Sequence, residues 1–440
     1  MQKHHFSIEA ILEALKIKAL NPMQEASIEA NKEHANVILL SATGSGKTLA
    51  FLLPLLDRMT TAPKTTQALI IVPSRELALQ IEQVFKKMST GLKVTCCYGG
   101  HLRETEENNL LEAPALIVGT PGRLGDHIRR GNINVDGIKT LVLDEFDKSL
   151  EFGFEEEMSF VVGSLPAVEK RILVSATETL EIPKFIKMKD AVRLNFLTGE
   201  APEMLAIQRV KSDENDKLET LFRLICHLGN RSTIVFCNYR DAVQRTSDFL
   251  KERGIVNVFY HGALEQPERD AALCKFRNGT SSILVTTDLA ARGLDIPHIR
   301  YIIHYHLPLS EESFTHRNGR TARMEASGTA ILIVSPEEET PKYIDPATPW
   351  IELPEDLELP EKPKWSTLHI SAGKKNKINK VDIVGFLSQK GELKKEDIGL
   401  IEVKDFFSFV AVRKSKVSHM LQQIKNHKMK GQRIKIEVAK

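Results

Sequence analysis

A glycine-rich segment near the start of the chain has the residue types of a phosphate-binding loop. In LLSATGSGKT, Gly44 and Gly46 are followed by Lys47 and Thr48, between an apolar strand-like run and a helical run. Glycines let backbone N–H groups face a phosphate, a lysine ammonium meets β- and γ-phosphate charge, and a threonine hydroxyl can ligate Mg²⁺. The segment therefore predicts a nucleoside-triphosphate site.

The same loop begins upstream, at Ser41, Ala42 and Thr43, and Ser45 lies between its two glycines. The strict pattern has glycine where this chain has Ser41, a small departure at a position that tolerates alanine in many such loops. We expect residues 41–48 together to line the nucleotide.

Two adjacent acids end another strand-like run about a hundred residues further on. The segment KTLVLDEFD places Asp144 and Glu145 directly after the apolar residues. A carboxylate there can hold the Mg²⁺ shell, and its neighbour can orient or deprotonate an attacking water. Paired acids in a loop are usually plain solvated charge, but the upstream phosphate loop favours phosphoryl-transfer chemistry.

Three arginines recur in the later segment HRNGRTAR. Arg317, Arg320 and Arg323 have a three-residue spacing, and residues i and i+3 share a helix face. Arginines that point together at a phosphate stabilise the charge on a transferring phosphoryl group, so we expect Arg320 and Arg323 to complete the site. A surface helix held by salt bridges would show the same spacing, and this segment alone leaves both interpretations open.

Short apolar runs alternate with helical segments over most of the chain. The runs are VILLS, ALIIV, KVTCCY, ALIVGT, TLVLD and RILVSAT, and then IQRV, TIVFC, NVFY, SILVTT, YIIHY and TAILIV. Such alternation predicts parallel sheets with crossover helices. Because the rhythm restarts near residue 206, we expect two α/β domains, residues 1–205 and 206–335. A ligand between them would face the carboxyl ends of both sheets.

The remaining residues predict a connector and a third domain. Residues 336–364 hold seven of the nineteen prolines, with nine acids and three lysines, which indicates an extended linker or a strap along the surface. Residues 365–440 run strand, helix, strand, strand, helix, strand. This βαββαβ order predicts a small split βαβ sandwich of the type used by RNA-recognition modules.

Charge is divided unevenly between these parts. The 440 residues carry a net charge of +2, but residues 366–440 hold 17 Lys and Arg against 7 Asp and Glu, and the rest hold 43 against 51. A basic module on an acidic body indicates an appendage that binds a polyanion, although a solvated basic surface would give the same count.

Composition excludes several protein classes. An apolar fraction of 42% and a charged fraction of 27% are ordinary globular values, which excludes collagen-like, low-complexity and wholly disordered chains. The five cysteines show no C-x-x-C spacing, which favours a reducing compartment. Since the sequence has neither an apolar run of about 18 residues nor a signal peptide's apolar core, we expect a cytoplasmic protein without membrane contact.

Taken in order, these segments resemble the motifs of the DEAD-box RNA helicases over residues 1–335. In the first domain they are NPMQ with Gln24, SATGSGKT, PSREL with Arg75, the pair Gly99–Gly100, TPGR with Thr120 and Arg123, DEFD from Asp144 to Asp147, and SAT with Ser175 and Thr177. In the second domain they are VFCN, HGALEQPER, TTDLAARGLD with Thr286 and Asp295, and HRNGRTAR with His316. So many motifs in family order and spacing leave little room for coincidence.

The resemblance implies two tandem RecA-like domains that bind ATP and Mg²⁺ and hydrolyse ATP when RNA is bound. It implies that Gln24 contacts the adenine edge and that Asp295 joins the nucleotide site. The residues implied in hydrolysis are Lys47, Asp144, Glu145, Arg320 and Arg323, with Thr48 and Asp144 as metal ligands.

The resemblance also implies an RNA track and a coupling set. The coupling residues are Asp147, Ser175, Thr177 and His316. The residues implied to contact RNA are Arg75, Gly100, Thr120, Arg123 and Thr286. Contacts to sugar and phosphate fix position without reading sequence. ATP and single-stranded RNA would bind cooperatively between the two domains and close them.

Some residues depart from the family pattern. Phe146 replaces the alanine of the family name, and we expect the chemistry to be retained with altered local packing. Ile17 stands where an aromatic residue usually stacks on adenine, and Leu20 where proline is usual, so adenine selectivity rests on Gln24 and Phe6. In HRNGRTAR, Asn318 and Ala322 replace the common isoleucine and glycine but leave the arginines in place.

Residues 365–440 resemble the RNA-binding domain of DbpA-type helicases, in which the target is large-subunit ribosomal RNA during ribosome assembly. Lys374, Lys375 and Lys377 are the candidate phosphate contacts, although a basic loop can also be merely solvated. Phe407 and Phe409 share one face of a strand, where an RNA-recognition sheet can stack bases. The usual Lys-Gly-aromatic signature is missing, which favours packing at the core edge for both rings.

The leading hypothesis is a monomeric ATP-dependent RNA helicase that locally unwinds or remodels ribosomal RNA or pre-ribosomal particles. An ATP-gated RNA clamp or chaperone without productive strand separation is the alternative, which Phe146 and Ile17 keep open. A DNA helicase of related fold is disfavoured by NPMQ and by the RNA-binding module.

Overall fold

The computed structural model describes residues 6–42, 44–61, 65–100, 103–177, 182–197, 205–288, 296, 299–319, 321 and 328–439. The described residues fall into two units, one ending at residue 197 and one beginning at residue 205. Within these ranges, no helix is both long enough and apolar enough to cross a membrane.

The first unit is built on a parallel sheet of seven strands. They are β1 (Asn36–Ser41), β2 (Ala68–Ile71), β3 (Val94–Cys97), β4 (Leu116–Gly119), β5 (Thr140–Leu143), β6 (Lys170–Ser175) and β7 (Val192–Phe196). Their order is β3-β4-β2-β5-β6-β1-β7, and all neighbours are parallel. The predicted parallel sheet is confirmed, and β7 is an additional edge strand.

Helices cover both faces of this sheet. They are α1 (Ile8–Leu15), α2 (Pro22–Glu33), α3 (Lys47–Asp57), α4 (Arg75–Lys87), α5 (Arg103–Leu110), α6 (Pro121–Arg129), α7 (Phe146–Glu151) and α8 (Glu155–Gly163), with a 3-10 turn at Lys184–Ile186. Successive residues of β1 enter opposite cores, Leu39 in one and Ile38 and Leu40 in the other. Burial on both faces explains why the strands read as continuous apolar runs.

The second unit contains a parallel sheet of six strands. They are β8 (Leu205–Lys211), β9 (Thr233–Phe236), β10 (Asn257–Tyr260), β11 (Ile283–Thr286), β12 (Tyr301–His304) and β13 (Gly328–Val334). Their order is β10-β11-β9-β12-β13-β8. The helices that the structure describes here are α9 (Leu218–Leu228), α10 (Arg240–Glu252), α11 (Gln266–Arg277) and α12 (Glu311–Asn318).

Residues 336–364, the strap, meet the edge strand β8 at Arg209 and continue to Arg223 on α9. The backbone N–H of Arg209 donates to the carbonyl of Pro349 at 2.8 Å, and the N–H of Ile351 donates to the Arg209 carbonyl at 2.7 Å. The guanidinium of Arg209 is buried beneath the strap, where it bonds two strap carbonyls and stacks on the Trp350 ring at 4.3 Å. The strap is therefore fixed to the sheet by backbone and side-chain contacts.

A four-stranded antiparallel sheet follows the strap. Its strands are β14 (Trp365–Ile370), β15 (Ile398–Val403), β16 (Ser408–Arg413) and β17 (Ile436–Val438), in the order β15-β16-β14-β17. Its helices are α13 (Lys380–Gln389) and α14 (Lys414–Ile424), with 3-10 turns at Lys374–Asn376 and Lys395–Asp397. The predicted βαββαβ order is confirmed.

The outer face of this small sheet rests on α11 of the six-stranded domain. Thr367, on that face of β14, is buried, and its hydroxyl accepts from the side-chain amide of Asn278 at 2.8 Å. It also lies 2.8 Å from the hydroxyl of Thr280, and Arg277 is 3.5 Å from Glu402. The small domain is thus docked through buried polar contacts.

Candidate functional site

The candidate site residues of the first unit share the carboxyl edge of the seven-stranded sheet. Strands β3, β4 and β2 form one half of it, and Tyr98–Gly100, Thr120 and Arg75 lie just beyond their ends. Strands β5, β6 and β1 form the other half and lead into Asp144, Ser175 and the phosphate loop. Ligands of parallel α/β sheets bind at this edge, and here two groups of candidates meet between β2 and β5.

The phosphate loop is held by the start of α2. Asn21 caps this helix, and its side-chain amide donates to the carbonyl of Ser45 at 3.0 Å. Gln24 is buried, and its amide donates to the carbonyl of Gly46 at 3.2 Å while its oxygen accepts from the Asn21 N–H. Gly46 has φ +92°, and a Cβ there would lie 2.6 Å from the Gln24 amide nitrogen. Only glycine fits this position.

Lys47 begins α3 and lies under the loop. Its ammonium is largely buried and donates to the carbonyl of Ser41 at 2.8 Å, at the end of β1. The Ser41 hydroxyl bonds that of Ser45 at 2.7 Å, which closes the loop on itself. Thr48 is partly exposed at the second position of the helix. Thr43 lies outside the described residues.

Asp144 and Glu145 lie directly after β5, as predicted. Burial, with the Glu145 charge, raises the pKa of Asp144 to about 7, although Lys47 and a hydrogen bond from the Glu145 N–H favour its carboxylate. Glu145 has a left-handed backbone, φ +47°, and within the described chain its Oε2 is buried without a hydrogen-bond partner. A buried acid with a raised pKa beside an unpaired carboxylate oxygen fits a divalent cation and its water shell.

The structure brings Asp147 together with two of the predicted coupling residues. The hydroxyl of Thr177 donates to Asp147 at 3.3 Å, and it lies 3.1 Å from the Ser175 hydroxyl. The backbone N–H of Thr177 also donates to Ser175 at 3.1 Å. The chain of bonds connects the end of β6 to the helix that follows Glu145. His316 is buried on α12 of the second unit, and its coupling role stays a prediction.

The other half of the edge carries the polar residues predicted to contact RNA. The Arg75 guanidinium lies 4.7 Å from the centre of the Tyr98 ring, and Gly100 is exposed with φ +91°. Thr120 caps α6, and Arg123, one turn along, keeps 15% of its side chain exposed beside Glu106. Cations and a helix N-terminus along one edge can follow a phosphate backbone.

In the second unit, Arg317 is an internal residue. Its side chain is fully buried and donates to Asp288 at 2.5 Å, to Asn238 at 2.7 Å and to the His306 carbonyl at 2.9 Å. It ties together the ends of β11, β9 and β12.

The helix that carries Arg317 ends soon after it. Helix α12 stops at Asn318, and Thr321 forms a parallel bridge with Ile299. The shared helix face expected for Arg320 and Arg323 stays a prediction. Arg320 and Arg323 themselves lie outside the described residues, as does Asp295.

Three family models match the sequence. Residues 21–185 match the DEAD/DEAH box helicase model, residues 216–325 the helicase conserved C-terminal domain, and residues 367–438 the DbpA RNA binding domain. The ATP-dependent RNA helicase DbpA of Escherichia coli (strain K12) is 33% identical over 442 residues, which is 98% of this chain and 96% of that protein. This chain belongs to the DEAD-box RNA helicases. It is an ATP-dependent RNA helicase of the DbpA type, an RNA-dependent ATPase.

Other relatives agree with this assignment. The DbpA helicase of Bacillus subtilis (strain 168) is 31% identical over 468 residues, 97% of this chain and 96% of that protein. The S. cerevisiae Dbp5 structure bound to RNA and ADP BeF3 is 28% identical, with a TM-score of 0.67 over 75% of this chain and 88% of that one. Mss116p bound to ssRNA and AMP-PNP is 26% identical, with a TM-score of 0.68 over 80% and 78%.

The departures from the DEAD-box pattern now have a structural setting. Phe146 of this helicase is 1% exposed and joins the same core as Leu143 and Ile38, so the larger ring fills apolar space beneath the acids. Ile17 follows α1 and is exposed, at 38%. Phe6 packs against the core on the other face of the sheet.

The helicase prediction for Thr286 needs correction. Its side chain is fully buried at the end of β11, and its hydroxyl donates to the carbonyl of Tyr260 at 2.7 Å. A residue turned inward in this way does not offer its hydroxyl to RNA in this conformation. Thr287, the next residue, is partly exposed at the same strand end and replaces it as the candidate.

Sequence reasoning missed several residues that shape these sites. Asn21 was visible only as a capping residue before Pro22, and its bond to the phosphate loop needed the fold. Glu106 and His127 belong to no short motif, yet both are buried beside Arg123. Each is a polar residue on the buried face of a helix, and the sequence alone does not distinguish that face from the exposed face.

Proposed function

We propose that this helicase uses ATP hydrolysis to unwind or remodel structured RNA locally, and that its target is ribosomal RNA or pre-ribosomal particles in large-subunit assembly. The observation that carries the proposal is the shared carboxyl edge of the first sheet. Phosphate-loop and acid residues occupy one half of that edge, and the candidate RNA contacts occupy the other. From the sequence we also expect the protein to act as a monomer in the cytoplasm.

At the nucleotide half, each residue has a distinct role in the proposal. When nucleotide binds, the Lys47 ammonium leaves the Ser41 carbonyl and donates to the β- and γ-phosphate oxygens. The backbone N–H groups of the loop donate to the same phosphates. Thr48 and Asp144 would hold Mg²⁺, which when bound neutralises charge on the phosphate oxygens. Glu145 orients the attacking water and accepts its proton, a role for which its unpaired Oε2 is suited.

The adenine contact of Gln24 is also part of the proposal. Its amide already bonds Gly46, so a base that engages Gln24 acts on the same side chain that holds the phosphate loop. The nearby Ala42 and Gly44 are exposed and complete the loop's surface.

The small domain offers a basic end for structured RNA. Lys374, Lys375 and Lys377 follow β14 and are exposed. The N–H of Lys374 donates to the Lys404 carbonyl at 2.9 Å, so this loop joins the β15–β16 turn. Phe406 in that turn is 60% exposed. The cations can bind phosphate, and the exposed ring beside them can stack on a base.

The aromatic residues behind this end have a different role. Phe409 is 2% exposed and meets His369 and Phe407, with ring centres 5.6 and 5.4 Å away. Val410, its neighbour, enters the domain core from the opposite face. Because α11 covers part of the outer face, we assign RNA contact to the basic end and not to the centre of the sheet.

Charge reversal at two ends of the small domain tests this proposal. We would map crosslinks of the full chain to cellular RNA, and compare a triple variant, Lys374→Glu, Lys375→Glu and Lys377→Glu, with a control triple. The control changes Lys395, Lys414 and Lys416 to Glu, which are exposed at the opposite end because β14 and β16 are antiparallel.

Both triples change the net charge equally. The proposal expects crosslinks to large-subunit ribosomal RNA in the wild type, their loss in the first triple and their retention in the control. Equal loss in both, or crosslinks without ribosomal RNA, would contradict the proposed target.

Strand displacement measured beside ATP hydrolysis distinguishes the helicase from an ATP-gated clamp. The proposal expects RNA-dependent displacement of a short duplex, whereas a clamp would hydrolyse ATP without it. The buried position of Phe146 removes one reason for the clamp, because the ring packs in the core and leaves both acids at the strand end.

A further inference from the structure

A buried carboxylate lies beneath the RNA half of the first sheet's edge. Glu106, on α5, is 1% exposed, and three groups among the described residues donate hydrogen bonds to it. Its Oε1 accepts from the backbone N–H of Tyr98 at 2.8 Å. Its Oε2 is 2.8 Å from Arg123 and 2.7 Å from the ring nitrogen Nε2 of His127.

The donors around Glu106 are fixed by their own surroundings. His127 is fully buried, and its Nδ1 lies 3.0 Å from the side-chain amide of Asn132. An amide that donates to Nδ1 leaves the imidazole proton on Nε2, where it points at the carboxylate. His127 therefore donates from Nε2 to Glu106, and Arg123 supplies the opposite charge.

These contacts join three separate pieces of the RNA half. Tyr98 lies under Arg75 and directly precedes the loop with Gly100. Arg123 is in the first turns of α6, which starts after Thr120. One carboxylate thus sets both the start of the Gly100 loop and the direction of the Arg123 side chain.

We propose that Glu106, held by His127, is a positioning residue for RNA binding in this helicase. It keeps Arg123 extended toward the RNA and fixes the Tyr98–Gly100 backbone without touching RNA itself. The inference rests on the proposed RNA contact by Arg123. A preformed contact avoids the entropy of ordering a long side chain on binding, so the effect appears in RNA affinity.

A metal site is the rival explanation, because the sulfur of Cys97 lies within 4.8 Å of the Glu106 and His127 ligand atoms. Two features oppose it. The Arg123 cation already bonds the carboxylate, and burial beside Glu106 raises the pKa of the Cys97 thiol far above neutrality. A cation would have to displace the arginine and a proton.

Steady-state ATPase assays with Glu106→Gln, Arg123→Ala and the double variant test the positioning role. In either orientation the NH2 of the glutamine meets a donor, either the Tyr98 N–H or the Arg123 and His127 pair, and Arg123 loses its charged partner. We expect the RNA concentration for half-maximal stimulation to rise about tenfold in Glu106→Gln, the size of one charge-assisted hydrogen bond. The kcat at saturating RNA and the KM for ATP should stay within about twofold.

The double variant distinguishes the positioning role of Glu106 from the proposed RNA contact of Arg123. If Glu106 acts through Arg123, adding Glu106→Gln to Arg123→Ala changes RNA affinity no further. Additive effects, or wild-type affinity in Glu106→Gln, would overturn the positioning role. Wild-type affinity in Arg123→Ala would instead overturn the proposed RNA contact.

A matched pair at His127 covers the case in which Glu106→Gln does not fold. His127→Gln retains an N–H donor and should keep RNA affinity within about twofold, whereas His127→Leu should weaken it about three- to tenfold. Equal affinity in both variants counts against the role. Metal analysis of the wild type completes the test, since one equivalent of zinc that is lost in His127→Leu would establish the rival site.

Discussion

The side-chain amide of Gln24 donates to the carbonyl oxygen of Gly46 at 3.2 Å, so the glutamine of the NPMQ segment supports the phosphate loop directly. Its side-chain oxygen accepts from the Asn21 N–H and closes the start of α2. A residue expected to meet the base therefore also fixes the loop for the phosphates. The proposed base contact and the support of the phosphate loop would thus depend on one side chain.

Alanine at position 46 should disable the nucleotide site. Gly46→Ala places a Cβ 2.6 Å from the Gln24 amide nitrogen at φ +92°, and we expect ATP turnover to fall at least about 100-fold. Gly131→Ala is the matched control, because Gly131 has φ +72° with open space around it. The control should lose about 1 kcal/mol of stability and keep its turnover. Equal ATPase loss in both variants would assign the effect to backbone strain alone.

Removing the charge of Glu145 should stop hydrolysis without preventing ATP binding. Glu145→Gln keeps the shape of a side chain whose Oε2 is unpaired within the described residues, and we expect RNA-stimulated ATP hydrolysis to fall about 10²- to 10⁴-fold. Glu155→Gln, on the exposed start of α8, serves as the control. A Glu145→Gln protein that hydrolyses ATP at the wild-type rate in saturating RNA would refute the assignment.

Magnesium-dependent nucleotide binding should weaken below neutral pH. Burial raises the pKa of Asp144 from 3.8 to about 7, so below pH 7 a proton increasingly occupies the carboxyl that we propose holds Mg²⁺. Affinity for a magnesium-bound, non-hydrolysable ATP analogue should fall by up to about tenfold per pH unit there and level off above pH 7. Asp144→Asn should bind weakly with little pH dependence. Titration calorimetry between pH 5.5 and 8.5 measures this, with EDTA as the metal-free control.

The raised pKa of Asp144 also determines how the stability of the ligand-free protein changes with pH. Because folding raises the pKa of Asp144, the folded state takes up a proton between about pH 7 and 3.8, and its stability increases as the pH falls through that window. This contribution should be absent in Asp144→Asn when the melting temperatures are compared.

Loss of the Thr367 hydroxyl should weaken the docking of the small domain. Thr367→Val leaves the Asn278 amide and the Thr280 hydroxyl without their buried partner, and we expect a loss of about 1–3 kcal/mol in the free energy of unfolding. Thr367→Ser keeps the hydroxyl and should lose about 1 kcal/mol or less. Hydrogen exchange along α11 and β14 would localise the change, and indistinguishable valine and serine variants would contradict it.

The sequence predicted most of the architecture because parallel strands buried on both faces leave a strong signal. The strand β7 was missed because its residues, VRLNF, alternate apolar and polar at the sheet edge, and none of them is fully buried. In the nucleotide half of the site, Lys47 and Asp144 come within a few residues of the end of a strand. Both were therefore predictable from the local sequence pattern. The hydrogen bond from the Asn21 amide to the loop carbonyl of Ser45 was not predictable, because only the packing of α2 brings these two residues together.

One site prediction failed for a physical reason that local spacing does not reveal. Thr286 and Thr287 are adjacent and chemically identical, and only the direction of the strand pleat decides which one is buried. Long-range pairs such as Glu106 with Arg123 need the fold itself.

The strap also has a consequence for the behaviour of the protein in solution. Strand β8 is the edge of the second sheet, and an uncovered edge offers N–H and C=O groups to a strand of another molecule. The strap occupies part of that row, and its prolines cannot donate to a further strand. A chain shortened before residue 336 would keep both RecA-like sheets and gain an adhesive edge. We would then expect the shortened chain to self-associate before it shows a catalytic defect.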